Sequence, residues 1–192
     1  MDRVKILNKA KIGLMDPATK SKGGCPVFYS SILFSLKFYW DDGIPTACIN
    51  GRSLRINPDF FTLLKEKERI GLLAHEVLHV ALRHIDQFHL YNRKKYSQDI
   101  EFDLWNRAAD YAINLMLVKA GYTLPPGGLY DTRFAGMATF QVYTILHDEC
   151  DPQTWTPGDG DIDFPVTGSI DDQQNQNRLQ KDITQILLKA QL

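Results

Sequence analysis

The chain has 192 residues, is 44% hydrophobic and 23% charged, and carries a formal net charge of −1. This is the composition of a soluble globular protein of about one domain; it excludes a disordered chain, and no apolar run is long enough for a membrane span. The three cysteines, Cys25, Cys48 and Cys150, form neither a CxxC pair nor a disulfide framework, and the N-terminus has no apolar signal region, so a cytoplasmic, reducing location is expected.

In chain order, Val4–Met15 reads as a short helix, broken by Asp16-Pro17 and Gly23-Gly24. The apolar run Val27–Trp40 reads as a buried helix or a strand, with helix favoured and a strand open at its end. Thr46–Ile49 and Ser53–Ile56 flank Asn50-Gly51-Arg52, a β-hairpin signature. Asn57-Pro58 marks a helix start, with Asn as N-cap and Pro at the first helical position. Helical periodicity then runs from Asp59 to about Tyr91, as one helix or as two divided near Lys65–Glu68. After a polar link over 92–100, a strong helix is expected from Phe102 to Ala120, closed by Gly121. Leu124–Tyr130 is irregular. A third helix spans Thr139–His147, with Thr139 as its N-cap. Residues 1–150 form the expected domain. Residues 151–192 form an acidic Gly/Pro loop and an amphipathic C-terminal helix, read as a tail or the start of a further module.

Charge is unevenly distributed. Residues 1–95 carry 16 Lys and Arg against 9 Asp and Glu, and residues 96–192 carry 6 against 14. The basic excess near the N-terminus reads as a solvated helix face and loop, so nucleic acid is not an expected partner.

The residues that carry chemistry are His75-Glu76-Val77-Leu78-His79, an HExxH. On a helix, histidines four apart differ by about 40° around the axis and one turn in height, so both imidazoles can meet one Zn²⁺. Glu76 then lies beside the metal's open position, where it can take a proton from a water and pass it to a leaving amine. With 5 His and 5 Glu in the chain, chance supplies this pattern in only about three of a thousand such sequences. The flanks Ile70–Ala74 and Val80–Arg83 are apolar enough to bury the segment. Two histidines and a glutamate buried together need partners or a metal.

Catalytic zinc takes three protein ligands. The candidates for the third are His84, His89, His147, Glu101, Asp103 and Asp110. On a continuous helix His84 lies about 140° from His79 and points away unless the helix ends there. Asp110 is better placed: it interrupts an apolar stretch, with Asn106 and Asn114 one turn to either side to orient ligands. The alternative for Asp110 is a carboxylate paired with an N–H or an arginine.

Thr46…Asn50-Gly51…Ile56-Asn57-Pro58, the His75–His84 segment and Trp105-Asn106…Ala109–Asn114 together resemble the putative metallopeptidase domain of bacteria and phages. The likeness covers roughly residues 25–150. It implies an α+β, zincin-like fold, mainly helical, with a small hairpin or sheet edge beside the HExxH helix. It also implies an aspartate of the next helix, here Asp110, as third ligand. That domain commonly precedes a von Willebrand factor A-like module. No Asp-x-Ser-x-Ser metal site of such a module occurs before Leu192, so the expectation is a truncated form or a protein without it.

The expected activity is a zinc-dependent peptidase acting on a peptide or protein substrate. His75, His79 and Asp110 hold the metal, Glu76 is the general base, and the Thr46–Ile56 hairpin offers an edge for an extended substrate. The alternative is a non-catalytic zinc-containing adaptor working with an AAA-type ATPase or a von Willebrand factor A-like partner, with no membrane association. Two weaker features remain. Asp159-Gly160-Asp161-Ile162-Asp163 mimics the start of a calcium loop but has Phe164 and Ile170 where Gly and Glu are needed. Tyr130 can in principle donate to an oxyanion, and the alternative is a packed side chain.

Overall fold

The computed structural model describes residues 2–16, 26–94 and 102–149. The C-terminal loop and helix expected over 151–192, the calcium-like loop, Glu101, Cys25 and Cys150 lie outside those residues. Helix α1 (Arg3–Met15) starts where the Asp2 carboxylate accepts from the N–H groups of Val4 and Lys5, and it buries Ile6, Leu7, Ala10 and Leu14 on one face. Helix α2 (Pro26–Leu33) is followed by strand β1 (Lys37–Trp40), as the sequence allows for the end of that apolar run.

Strands β2 (Ala47–Ile49) and β3 (Ser53–Ile56) form the expected hairpin, with Ala47 opposite Ile56 and Ile49 opposite Leu54. Its turn depends on two residues. Gly51 takes a φ of 82°, and Asn50 Oδ1 accepts from the N–H groups of Arg52 and Ser53. Strand β1 adds in parallel to β3, so the sheet order is β1-β3-β2 and β2 is an edge.

Helix α3 (Pro58–Leu63) begins with Asn57 as N-cap, its Oδ1 accepting from Phe60 N–H. The same side chain donates to Ile44 O, and Asn57 N–H donates to Thr46 O, tying the start of α3 to the start of β2. Helix α4 (Glu66–Ala81) follows after Leu64-Lys65. The Glu68 carboxylate accepts from Lys65 N–H, and the Arg69 guanidinium donates to the carbonyls of Phe61 and Thr62.

A second break was not expected. The helix ends at Ala81, Arg83 adopts a left-handed φ of 57°, and α5 (His84–Lys94) starts in a new direction. Gln87 Nε2 donates to Leu82 O and the Arg83 guanidinium pairs with Asp86 at 2.8 Å, so side chains hold a turn that no glycine marks.

Helix α6 (Phe102–Lys119) ends in a Schellman motif. Gly121, with a φ of 85°, donates to Val118 O, and Tyr122 N–H donates to Leu117 O. A short 3₁₀ turn (Thr132–Phe134) leads to α7 (Thr139–Glu149). Here Ala138 occupies the cap position, its N–H donating to Gln141 Oε1, so Thr139 is the first helical residue rather than the cap.

The result is α+β and mainly helical. One apolar cluster joins α1, α2, the sheet, α3 and α4 with Ile113 and Leu117 of α6. A second joins Phe88, Leu104, Trp105, Ala108, Phe134, Val142 and Tyr143. Helix α6 contributes to both, and its contact with α4 is where the polar residues are buried. No helix among the described residues is long and apolar enough to cross a membrane.

Candidate metal centre

His75, Glu76 and His79 are all buried on α4. The four-residue spacing brings the two imidazoles edge to face, with ring centroids 4.6 Å apart and Nε2 atoms 2.8 Å apart. Helix α6 packs on α4 and brings Asp110 to them, with Oδ1 3.1 Å from His79 Nε2 and 3.5 Å from His75 Nε2. Among the described residues these three form a group whose ligand atoms lie within 4.8 Å of one another.

The far side of each imidazole is engaged too. Asn114, one turn beyond Asp110, has its Nδ2 donating to Leu129 O at 2.8 Å, which fixes the amide orientation. Its Oδ1 therefore faces His75 Nδ1, 2.9 Å away, and can only accept. The His75 proton is on Nδ1, and its Nε2 lone pair points into the group. His79 Nδ1 meets His84 Nδ1 at 3.1 Å, and His84 Nε2 meets Thr139 Oγ1 at 3.0 Å.

His84 does not turn away from His79: the helix ends at Ala81, the case in which the spacing allows His84 to point back, and the left-handed Arg83 folds it into the core, where it is fully buried. Even so, His84 reaches the nitrogen of His79 opposite to the one near Asp110. Burial, and then the neighbouring His79, hold its pKa well below the ordinary 6.5, so His84 is neutral. A neutral His84 has one ring N–H, donated either to His79 Nδ1 or to Thr139 Oγ1, whose hydroxyl can donate or accept.

With the His79 proton on Nδ1, donated to His84, three acceptors converge: two imidazole lone pairs and a carboxylate oxygen. Asp110 Oδ1 is buried and makes no hydrogen bond of good geometry. A proton on one nitrogen or a cation between the members satisfies such a set. For bonds of 2.0–2.1 Å around a tetrahedral ion, ligands lie about 3.3 Å apart. The observed 2.8, 3.1 and 3.5 Å bracket that spacing, so the residues fit a metal ion.

A cavity of about 390 Å³ opens beside the group, lined by His75, Asp110, Asn114, Thr46, Arg107 and the 125–129 loop. In that loop Pro126 and Gly127, with a φ of 86°, form the middle of a turn closed by Gly128 N–H to Pro125 O.

Of the other candidates, Asp103 and His89 lie on α6 and α5 outside the group, and His147 is half-exposed beside Asp148. Asn106 is buried, yet neither of its amide atoms finds a hydrogen-bond partner among the described residues, so the ligand-orienting role expected of both asparagines falls to Asn114. Tyr130 is half-exposed and does not line the cavity. Sequence reasoning missed Thr139 and Arg107. In the sequence the hydroxyl of Thr139 reads as a helix cap, and nothing local to Arg107 distinguishes it from a surface arginine.

A family described as a putative metallopeptidase domain matches residues 16–184. No curated protein and no solved structure matches the chain.

Proposed function

From its membership of the putative metallopeptidase domain family, we propose that the chain is a zinc-dependent peptidase with a zincin-like active site. The observation that carries this reading is the convergence of His75 Nε2, His79 Nε2 and Asp110 Oδ1 at the edge of an open cavity. Two imidazoles and one carboxylate, with space left on one side, are a donor set suited to catalytic zinc. Zinc held there supplies Lewis acidity.

Asn114 and His84 keep both imidazoles in the tautomer that presents Nε2. Glu76, buried next to His75 in sequence, is the general base. Its carboxylate accepts a proton as water attacks the peptide carbonyl, and returns that proton to the amide nitrogen as the C–N bond breaks. Strand β2 is the sheet edge whose neighbour Thr46 lines the cavity, which supports binding of an extended peptide along it.

The test is Glu76→Gln. The variant keeps the size of the side chain and retains zinc, and its rate of peptide hydrolysis falls on the order of 10²–10⁴-fold. Undiminished hydrolysis by a zinc-loaded Glu76→Gln protein overturns the mechanism.

A further inference from the structure

We propose that Arg107 makes the cavity beside the metal group a receptor for a carboxylate of the peptide substrate. This rests on the peptidase reading above and names the substrate class that the site selects. Arg107 is half-buried on α6, one turn before Asp110, and lines the same cavity as His75 and Asp110. Its guanidinium makes no ion pair or hydrogen bond with the described residues. No ion pair joins it to the neighbouring Asp110, whose Oδ1 lies against the two imidazoles.

Apart from His75, Arg107 and Asp110 are the charged residues of the lining. With Asp110 Oδ1 directed at the histidines, Arg107 is the one Lys or Arg among the described residues of the lining. The rest of the wall is largely apolar, with Phe60, Leu72, Pro125, Pro126 and Leu129. Low-dielectric walls strengthen the field of a lone cation inside a cleft. A guanidinium presents parallel N–H donors that match the two oxygens of a carboxylate. The carboxylate belongs either to an acidic side chain beside the scissile bond or to the peptide C-terminus, since both present the same group at the same reach.

The experiment measures binding, so that it does not depend on hydrolysis. Zinc-loaded Glu76→Gln protein is titrated calorimetrically with acetyl-Ala-Ala-Gln-Ala-amide, acetyl-Ala-Ala-Glu-Ala-amide and acetyl-Ala-Ala-Gln-Ala with a free C-terminus. At least one carboxylate peptide is expected to bind roughly tenfold or more tighter than the neutral amide. Whichever peptide gains identifies the side-chain or the terminal carboxylate as the group recognised. Adding Arg107→Gln is expected to abolish the preference and Arg107→Lys to reduce it, with zinc content and thermal midpoint unchanged. A preference that survives Arg107→Gln overturns the proposal. So does the absence of preference, or of binding, in the protein with Arg107 intact, whatever the folding of the variants. If carboxylate discrimination depends on Arg107 and the wild-type protein hydrolyses no peptide, the binding inference stands and the peptidase reading fails.

Discussion

His84 Nδ1 lies 3.1 Å from His79 Nδ1, on the side of that ring away from Asp110. The contact fixes which nitrogen of His79 faces the metal group, and Thr139 Oγ1 holds His84 from behind. Removing a partner of this kind lowers metal affinity by about 10–100-fold. His84→Ala is therefore expected to weaken zinc binding in that range, as read by competition with a chromophoric chelator. Thr139→Val keeps the shape and removes the hydroxyl, so it should give a smaller loss of the same sign. Unchanged affinity in both variants would show that the chain of contacts does not orient His79.

Burial holds His84 below its ordinary pKa of 6.5 in the folded protein, whereas the unfolded chain protonates it near that value. Between the two values the unfolded state binds more protons, so stability rises with pH across the window. The contribution is fully present above pH 6.5 and is lost as the pH falls toward the depressed value. Metal-free wild-type protein should thus lose thermal stability between pH 7.5 and 5.5. His84→Gln should lose less over the same interval, measured by the difference in melting midpoints.

Asn114 joins His75 Nδ1 to the carbonyl of Leu129 and so couples a histidine of the metal group to the loop that walls the cavity. Asn114→Ala removes both hydrogen bonds and leaves polar groups buried. It should lower unfolding free energy by about 1–3 kcal/mol in urea titration, and it should weaken zinc binding as well. Asn114→Asp keeps the acceptor for His75 and loses the donor to Leu129, so it is expected to retain more metal affinity than stability.

Gly71 is required for a close approach. A Cβ at this position of α4 would lie 2.0 Å from the carbonyl oxygen of Thr123, two residues before the Pro125–Gly128 turn. Backbone must move to admit a methyl group, at a cost of about 1–3 kcal/mol. Gly71→Ala should show this as a lower denaturation midpoint. Gly127→Ala should also destabilise, for a different reason: its surroundings are open, but its φ of 86° disfavours a side chain.

Much of the architecture is legible in short stretches of sequence because its causes are short-ranged. The Asn50-Gly51 turn, the Asn57-Pro58 helix start and the Gly121 stop each depend on one or two side chains acting on backbone groups a few residues away. The placing of His75 and His79 on one face of α4 likewise follows from helix geometry and their spacing alone.

Tertiary structure decided the surroundings of those two histidines. A left-handed Arg83 is unfavourable by about 1–2 kcal/mol and has no glycine to announce it. It persists because Asp86 and Gln87 hold the turn and His84 finds His79 and Thr139 across 55 residues of chain. Ala138 and Gln141 form the helix start, and the Thr139 hydroxyl meets His84 instead. Asn106 and Asn114 share one helix face and similar flanks in the sequence. Only the packing of α6 against α4 and against the Leu129 loop gives Asn114 two partners, while Asn106 has none among the described residues. Local spacing could nominate ligands, but which buried polar atoms meet depends on how two helices and a loop fill the space between them.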